Sequence, residues 1–173
     1  MKNIVLIGLS GCGKSTLGRR LARRLRMPIF DTDAMIVEAE GRSIPDIFAE
    51  RGEHYFRDLE SAACLAASEL EGAIIATGGG AVLREQNMEA LAKNGMVFFI
   101  DRHPSHILSS ASLSDRPLVQ DDRDRLFRLH AERLALYRRW ADVTITSKGS
   151  RRRMARCLRR ILKHFRRGLG VDI

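Results

Sequence analysis

The stretch that most constrains this chain is Ile4-Val-Leu-Ile-Gly-Leu-Ser-Gly-Cys-Gly-Lys-Ser-Thr16. Four apolar residues, Ile4 to Ile7, have the composition of a buried strand. They run straight into a turn that carries Gly8, Gly13, Lys14 and Ser15 at the spacing G-x-x-x-x-G-K-S. Leu17, Leu21 and Leu25 then recur every four residues, as on one stripe of a helix. A strand before and a helix after are the context that a phosphate-binding P-loop needs. Glycines let successive N–H groups turn inward onto phosphate oxygens, and the helix adds its positive N-terminal end. Gly11, Cys12, Gly13, Lys14, Ser15 and Thr16 are therefore expected to cradle a nucleoside triphosphate. Lys14 is placed for the β- and γ-phosphates, and the Ser15 hydroxyl for Mg2+.

Strand-like runs at 3–7, 28–31, 73–76, 96–101 and 142–146 alternate with longer helical stretches. That alternation predicts an α/β protein, a parallel five-stranded sheet with helices on both faces. With the glycine turn it gives a three-layer P-loop kinase layout. The 173 residues contain no repeat, low-complexity tract or linker, so one domain over 1–173 is expected. No apolar run reaches the length of a membrane span, and the N-terminus reads as a strand rather than a signal peptide. Cys12, Cys64 and Cys157 fit neither a disulfide framework nor a metal-ligand spacing. A cytoplasmic protein without a membrane partner is the expectation. Cys12, at a helix start, is either a thiol activated by the local field or a small filler.

Charge allows two readings. Thirty basic against 21 acidic residues leave +9, and arginines crowd Arg19–Arg26 and Arg151–Arg167. Such a chain binds nucleic acid, or it carries arginine for polyanionic small molecules and on solvated helix faces. Both stretches keep helical apolar periodicity, Met154, Cys157, Ile161 and Phe165 in the second, which favours the solvated face. A monomer with no nucleic-acid partner is expected.

After the first helix comes Ile29-Phe-Asp-Thr-Asp33, a strand that ends in two carboxylates at the edge where open α/β sheets bind ligands. In an extended segment Asp31 and Asp33 face the same side, one toward a metal beside Ser15 and the other toward a second substrate. The competing role is an N-cap for a helix beginning near Ala34. Gly41 and Ser43 then break one helix and cap a short second one, which Gly52 ends before a third. On the third, Phe56, Leu59, Ala63 and Leu70 form an apolar stripe. Beside it Arg57 and Glu60 are either a surface ion pair or a guanidinium fork oriented toward a substrate carboxylate.

Gly78, Gly79 and Gly80 follow the third strand, and three glycines suggest backbone approached closely by a ligand. Farther on, Leu126, Leu129, Leu136 and Trp140 share a helical stripe whose fifth member is Arg133. An inward arginine must find an anion or snorkel to the sheet edge.

Taken in order, Gly8–Ser15, Asp31-x-Asp33, Gly-x-Ser-Ile-x-x-Ile-Phe with Gly-Glu-x-x-Phe-Arg-x-x-Glu, and Gly78-Gly79-Gly80 resemble the shikimate kinase family over residues 1–140. The resemblance implies ATP and shikimate as substrates, transfer to the shikimate 3-hydroxyl, and a place in aromatic amino-acid biosynthesis. It implies that Asp31 lies near Mg2+ and that Asp33 holds the attacking hydroxyl. Arg57, oriented by Glu60, and Arg133 then bind the acid's carboxylate, Gly78–Gly80 contact it through backbone, and about 31–60 forms the acceptor region. Residues 109–122 are polar and without a period, the character of a lid. Arg116 of its Arg-Pro-Leu matches the family arginine that reaches the transferring phosphate, giving Lys14, Asp33 and Arg116 as the catalytic set. Several positions depart from the family pattern: Ala135 for a proline, Ser109-Ser110 for a lid arginine that stacks on adenine, and Ser147–Arg153 for a proline near the base. Another small-molecule kinase, such as one for gluconate, and a nucleotide-binding regulator without turnover are the rival readings.

Overall fold

The computed structural model describes residues 2–109, 123–148, 151–168 and 170. Five strands, β1 (Asn3–Ile7), β2 (Ile29–Asp31), β3 (Ile74–Ala76), β4 (Gly95–Asp101) and β5 (Val143–Thr146), form one sheet. Their order is β2-β3-β1-β4-β5, and every neighbouring pair is parallel. Each strand lies within one residue of its predicted place. β1 takes the centre because Ile4, Val5, Leu6 and Ile7 are apolar on both faces, and all four are fully buried. The ends of β3 and β4 therefore flank the turn that leaves β1.

The helices are α1 (Lys14–Leu25), α2 (Thr32–Glu40), α3 (Ile44–Ser68), α4 (Glu85–Lys93), α5 (Pro104–Leu108), α6 (Arg123–Trp140) and α7 (Arg151–Gly168), with a 3₁₀ turn at Ala81–Leu83. Leu17 and Leu21 of α1, Met88 and Leu91 of α4, Tyr137 of α6, and Cys157, Ile161 and Phe165 of α7 seal the sheet into one core. Burial of each of the larger side chains contributes about 1.5–3 kcal/mol. Ile36, Ile47, Phe56 and Ala63 form a smaller cluster that fastens α2 to α3.

The predicted punctuation is present. Gly41 ends α2 in the left-handed conformation, Ser43 caps α3 by accepting from the Asp46 N–H, and Gly52 breaks α3 at φ 79° and ψ 176°. Two expectations are corrected. α2 starts at Thr32 rather than near Ala34, with Asp31 as its N-cap. Asp31 and Asp33 are thus a cap and a first-turn helical residue, not alternate positions of an extended segment. Leu70 lies beyond the end of α3, where it packs half-buried on the main core instead of extending the helical stripe. Apart from Ser109, the expected lid lies outside the described residues, and Arg116 with it. Among the described residues no helix is long and apolar enough to cross a membrane.

Candidate active site

The P-loop is shaped by positions that reject a side chain. Gly8 has φ 139°, and a Cβ there would lie 2.7 Å from the Ile100 carbonyl oxygen. At Gly11 (φ 79°) a Cβ would come within 2.9 Å of Ile107 on α5. Lys14, the first residue of α1, is 7% exposed. Its ammonium donates to the carbonyls of Gly8 at 2.7 Å and Leu9 at 2.8 Å, which lays it across the loop. Cys12 is 1% exposed under the loop, so the filler role fits it better than a reactive thiol.

Ser15 Oγ donates to Asp31 Oδ2 at 2.7 Å. The other carboxylate oxygen of Asp31 accepts from the Asp33 N–H at 3.1 Å. Asp31 therefore caps α2 and faces the P-loop at once, so the two competing roles are one. A hydroxyl and a carboxylate beside a phosphate cradle fit a hard divalent cation that takes its remaining ligands from phosphate and water. Among the described residues no group of three His, Cys, Asp or Glu side chains could hold a metal by itself.

The turn after β3 gathers the other candidate residues. The Gly78 N–H donates to Thr32 Oγ1 at 2.9 Å, which fastens the start of α2 to this turn. A Cβ on Gly78 would stand 2.6 Å from both Asp33 Oδ1 and Glu60 Oε1. On Gly80 it would stand 1.9 Å from Arg57 Nη1, and on Gly79 3.0 Å from the backbone nitrogen of Ser10 in the P-loop. None of the three has a positive φ. They are glycine for space, and Asp33, Glu60, Arg57 and the P-loop backbone border that space.

Arg57 is held on both edges. Nη1 donates to Glu60 Oε2 at 2.6 Å, while Nη2 and Nε reach Glu53 Oε1 at 2.9 and 3.2 Å. Its side chain is only 13% exposed, so this is an oriented fork rather than a surface pair. Burial works against the charge, but Glu60 and then Glu53 outweigh it and keep the guanidinium protonated. Glu60 is 1% exposed, and its Oε1 has no hydrogen-bond partner. Burial lifts its carboxyl above the usual carboxylate range, opposed by Arg57 and, more weakly, by Arg133.

Arg133 turns inward as predicted, half-buried, and reaches the turn beyond the end of β3. Its Nη1 donates to the Gly79 carbonyl at 3.0 Å, and Nε is buried without a partner. Tyr137 donates to the same carbonyl at 2.6 Å and stacks on Phe99 with ring centroids 4.9 Å apart. That carbonyl thus has both lone pairs engaged by α6. The predicted stripe is modified: Leu126 and Tyr137 are buried, whereas Leu129, Leu136 and Trp140 are only half-buried. Sequence reasoning missed Tyr137 as a site residue, although its position four after Arg133 puts both on one face. It also missed a cavity of about 230 Å3 between α5, α6 and the end of β5, lined in part by His103, His106 and His130. Isolated histidines carry no spacing signal.

Asp33, Arg57, Glu60 and Arg133 therefore meet around one glycine turn, and that turn touches the P-loop. Comparison with known proteins gives the same direction. Residues 10–165 match the shikimate kinase family model. The shikimate kinase of Clostridium beijerinckii is 42% identical over 146 residues, 84% of this chain and 86% of the relative. That of Neisseria gonorrhoeae is 39% identical over 93% of this chain and 99% of its own length. The structure of Acinetobacter baumannii shikimate kinase in complex with shikimate superposes with a TM-score of 0.85 at 31% identity, covering 98% of this chain and 94% of the other. A Sinorhizobium meliloti gluconokinase covers 98% of this chain and 95% of its own at 14% identity and a TM-score of 0.53, a likeness of fold alone. With P-loop, carboxylate and paired guanidiniums in one place and these relatives along nearly its whole length, the chain belongs to the shikimate kinase family of ATP-dependent phosphotransferases.

Proposed function

We propose that the protein transfers the γ-phosphoryl group of ATP to the 3-hydroxyl of shikimate, giving shikimate 3-phosphate and ADP. The observation that carries this reading is the contact between two half-sites. Gly79 abuts Ser10 of the P-loop, while Gly78 and Gly80 lie against Asp33 and Arg57. An acceptor lying over this turn has its hydroxyl next to Asp33 and its carboxylate within reach of Arg57 and Arg133. The two guanidiniums favour an acid over a neutral polyol.

Asp33 orients the hydroxyl and accepts its proton as the O–P bond forms. Lys14 offsets charge on the transferring group, and Arg116 of the lid 109–122 joins it when the lid excludes water. Ser15 and Asp31 would hold Mg2+, which neutralises phosphate charge. Gly78 and Gly80 leave room for the acceptor, and residues 11–16 bind the triphosphate. The protein works as a cytoplasmic monomer in a single domain.

The test is ADP release by the purified protein with ATP and Mg2+, alone and with shikimate, quinate or gluconate. Stimulation by shikimate only is the expected result. Stimulation by gluconate, or by no acid while ATP still binds, overturns the reading.

A further inference from the structure

The positive charge of this molecule is segregated. Residues 14–26 and 151–168, which form α1 with its C-cap and α7, hold 15 of the 30 basic residues and none of the 21 acidic ones. The remaining 15 basic residues are outnumbered by those 21 carboxylates, so the rest of the chain carries a net −6. α1 and α7 pack against each other and so form one continuous face.

Arg19 and Arg23 on α1, with Arg156, Arg159, Lys163 and Arg167 on α7, are exposed on it. Among the described residues none of them forms an ion pair; those pairs lie on or near α3, α4 and α6. The spacing brings like charges together at i,i+4, in Arg19/Arg23, Arg159/Lys163 and Lys163/Arg167, an arrangement that destabilises a helix. Core packing requires only the inward faces, Leu17 and Leu21 on α1 and Cys157, Ile161 and Phe165 on α7. Arg23, Arg24, Arg166 and Arg167 suit the C-terminal turns of the two helices, but core packing gives no reason for one sign along the whole outward face.

We propose that the α1–α7 face binds duplex nucleic acid through its phosphates, without reading sequence. The exposed cations of α7 from Arg156 to Arg167 extend over about 16 Å, a length that meets several phosphates of a duplex. Arginine forks suit phosphate oxygens. A lipid surface fits less well, because the apolar sides of both helices are in the core and, among the described residues, the exposed large apolar ones, Val37, Leu65, Leu83 and Phe127, lie on other elements. A single strand fits less well too. Phe165, the one Phe, Tyr or Trp on α1 or α7, is buried and offers no stacking platform. This reverses the expectation of a merely solvated face, and it does not depend on the kinase reading.

The test is fluorescence anisotropy of a labelled 20-base-pair DNA duplex with the full-length protein at 50 and 200 mM KCl. A footprint of about four phosphates loses on the order of 100-fold in affinity between the two. The Arg23→Gln/Arg159→Gln/Arg167→Gln variant should bind at least tenfold more weakly at 50 mM, and its log–log salt slope should fall by about three. Its ADP release with shikimate should match wild type, and Arg42→Gln/Arg51→Gln should bind the duplex as wild type does. If the triple variant does not fold, Arg167→Gln alone should lower the slope by about one. Absence of salt-dependent binding at 50 mM overturns the proposal, as does equal binding by the variants. Tighter binding of the single strand overturns the duplex assignment. Capture by phosphatidylglycerol vesicles without duplex binding overturns it in favour of lipid.

Discussion

The two halves of the active site are built by different means. The P-loop is a contiguous run, made from backbone that glycines bend and from two side chains, Lys14 and Ser15, at its end. The acceptor half is assembled from α2, α3, α6 and the turn after β3, and its working atoms are on side chains. A backbone site recognises what all triphosphates share. A side-chain site recognises one acid, and it depends on long-range packing to stay in register. Damage to the first should spread to any acceptor, whereas damage to the second should discriminate between substrates.

The sharpest way to break this contrast is Asp33→Asn, which keeps the shape of the acceptor half and removes its proposed base. kcat should fall by about 10²–10⁴-fold with ATP affinity nearly unchanged, as read by single-turnover kinetics and nucleotide titration. A loss of ATP affinity of similar size would mean that the halves are not separable. Gly80→Ala should come next. Its Cβ would sit 1.9 Å from Arg57 Nη1, so the fork must leave Glu60. A loss on the order of 10²-fold in kcat/KM for the acid is expected, with the KM for ATP preserved.

Glu60→Gln gives a smaller effect, visible in pH. Burial lifts the Glu60 carboxyl, so the folded protein retains that proton where the unfolded chain has lost it. Stability from this group is therefore present at low pH and is lost as pH rises from about 4.3 toward the lifted value. The melting temperature of Glu60→Gln minus that of wild type should rise over this window. A flat difference would mean that Arg57 fully compensates for the burial. The smallest effect belongs to Arg139→Ala, which breaks an exposed pair with Glu85 on the rim. Its unfolding free energy should change by no more than about 0.5 kcal/mol.

The same contrast governs what was legible. All five strands, the Gly41, Ser43 and Gly52 punctuation and the P-loop are written in neighbouring residues, and each is where periodicity and cap chemistry put it. Arg133 was legible as well, because a charge on an apolar stripe is a local anomaly. The spatial demands on Gly78, Gly79 and Gly80 were not legible, since the groups that border the space lie 23 to 69 positions away: Asp33, Arg57 and Ser10. For Asp31 the sequence offers a metal-facing carboxylate or an N-cap, and that one side chain meets both Ser15 and the Asp33 N–H depends on where α2 begins. Glu53 escaped notice as a second partner of Arg57, for an exposed glutamate at i−4 resembles any helix surface pair. Tyr137 shares a helix face with Arg133, and only the Gly79 carbonyl lying opposite gives its hydroxyl a task.

That carbonyl has a consequence for how the two ligands sense each other. Gly79 lies against Ser10 on one side and is gripped by Arg133 and Tyr137 on the other, so a single peptide unit lies between the P-loop and α6. If the acid draws Arg133 off Gly79, the peptide is freed to settle against the P-loop, and a triphosphate that tightens the P-loop presses back on the same unit. Thermodynamic reciprocity then requires that the factor by which ATP sharpens affinity for the acid equal the factor by which the acid sharpens affinity for ATP. In Tyr137→Phe, which loosens the linkage from one side, both factors should shrink together.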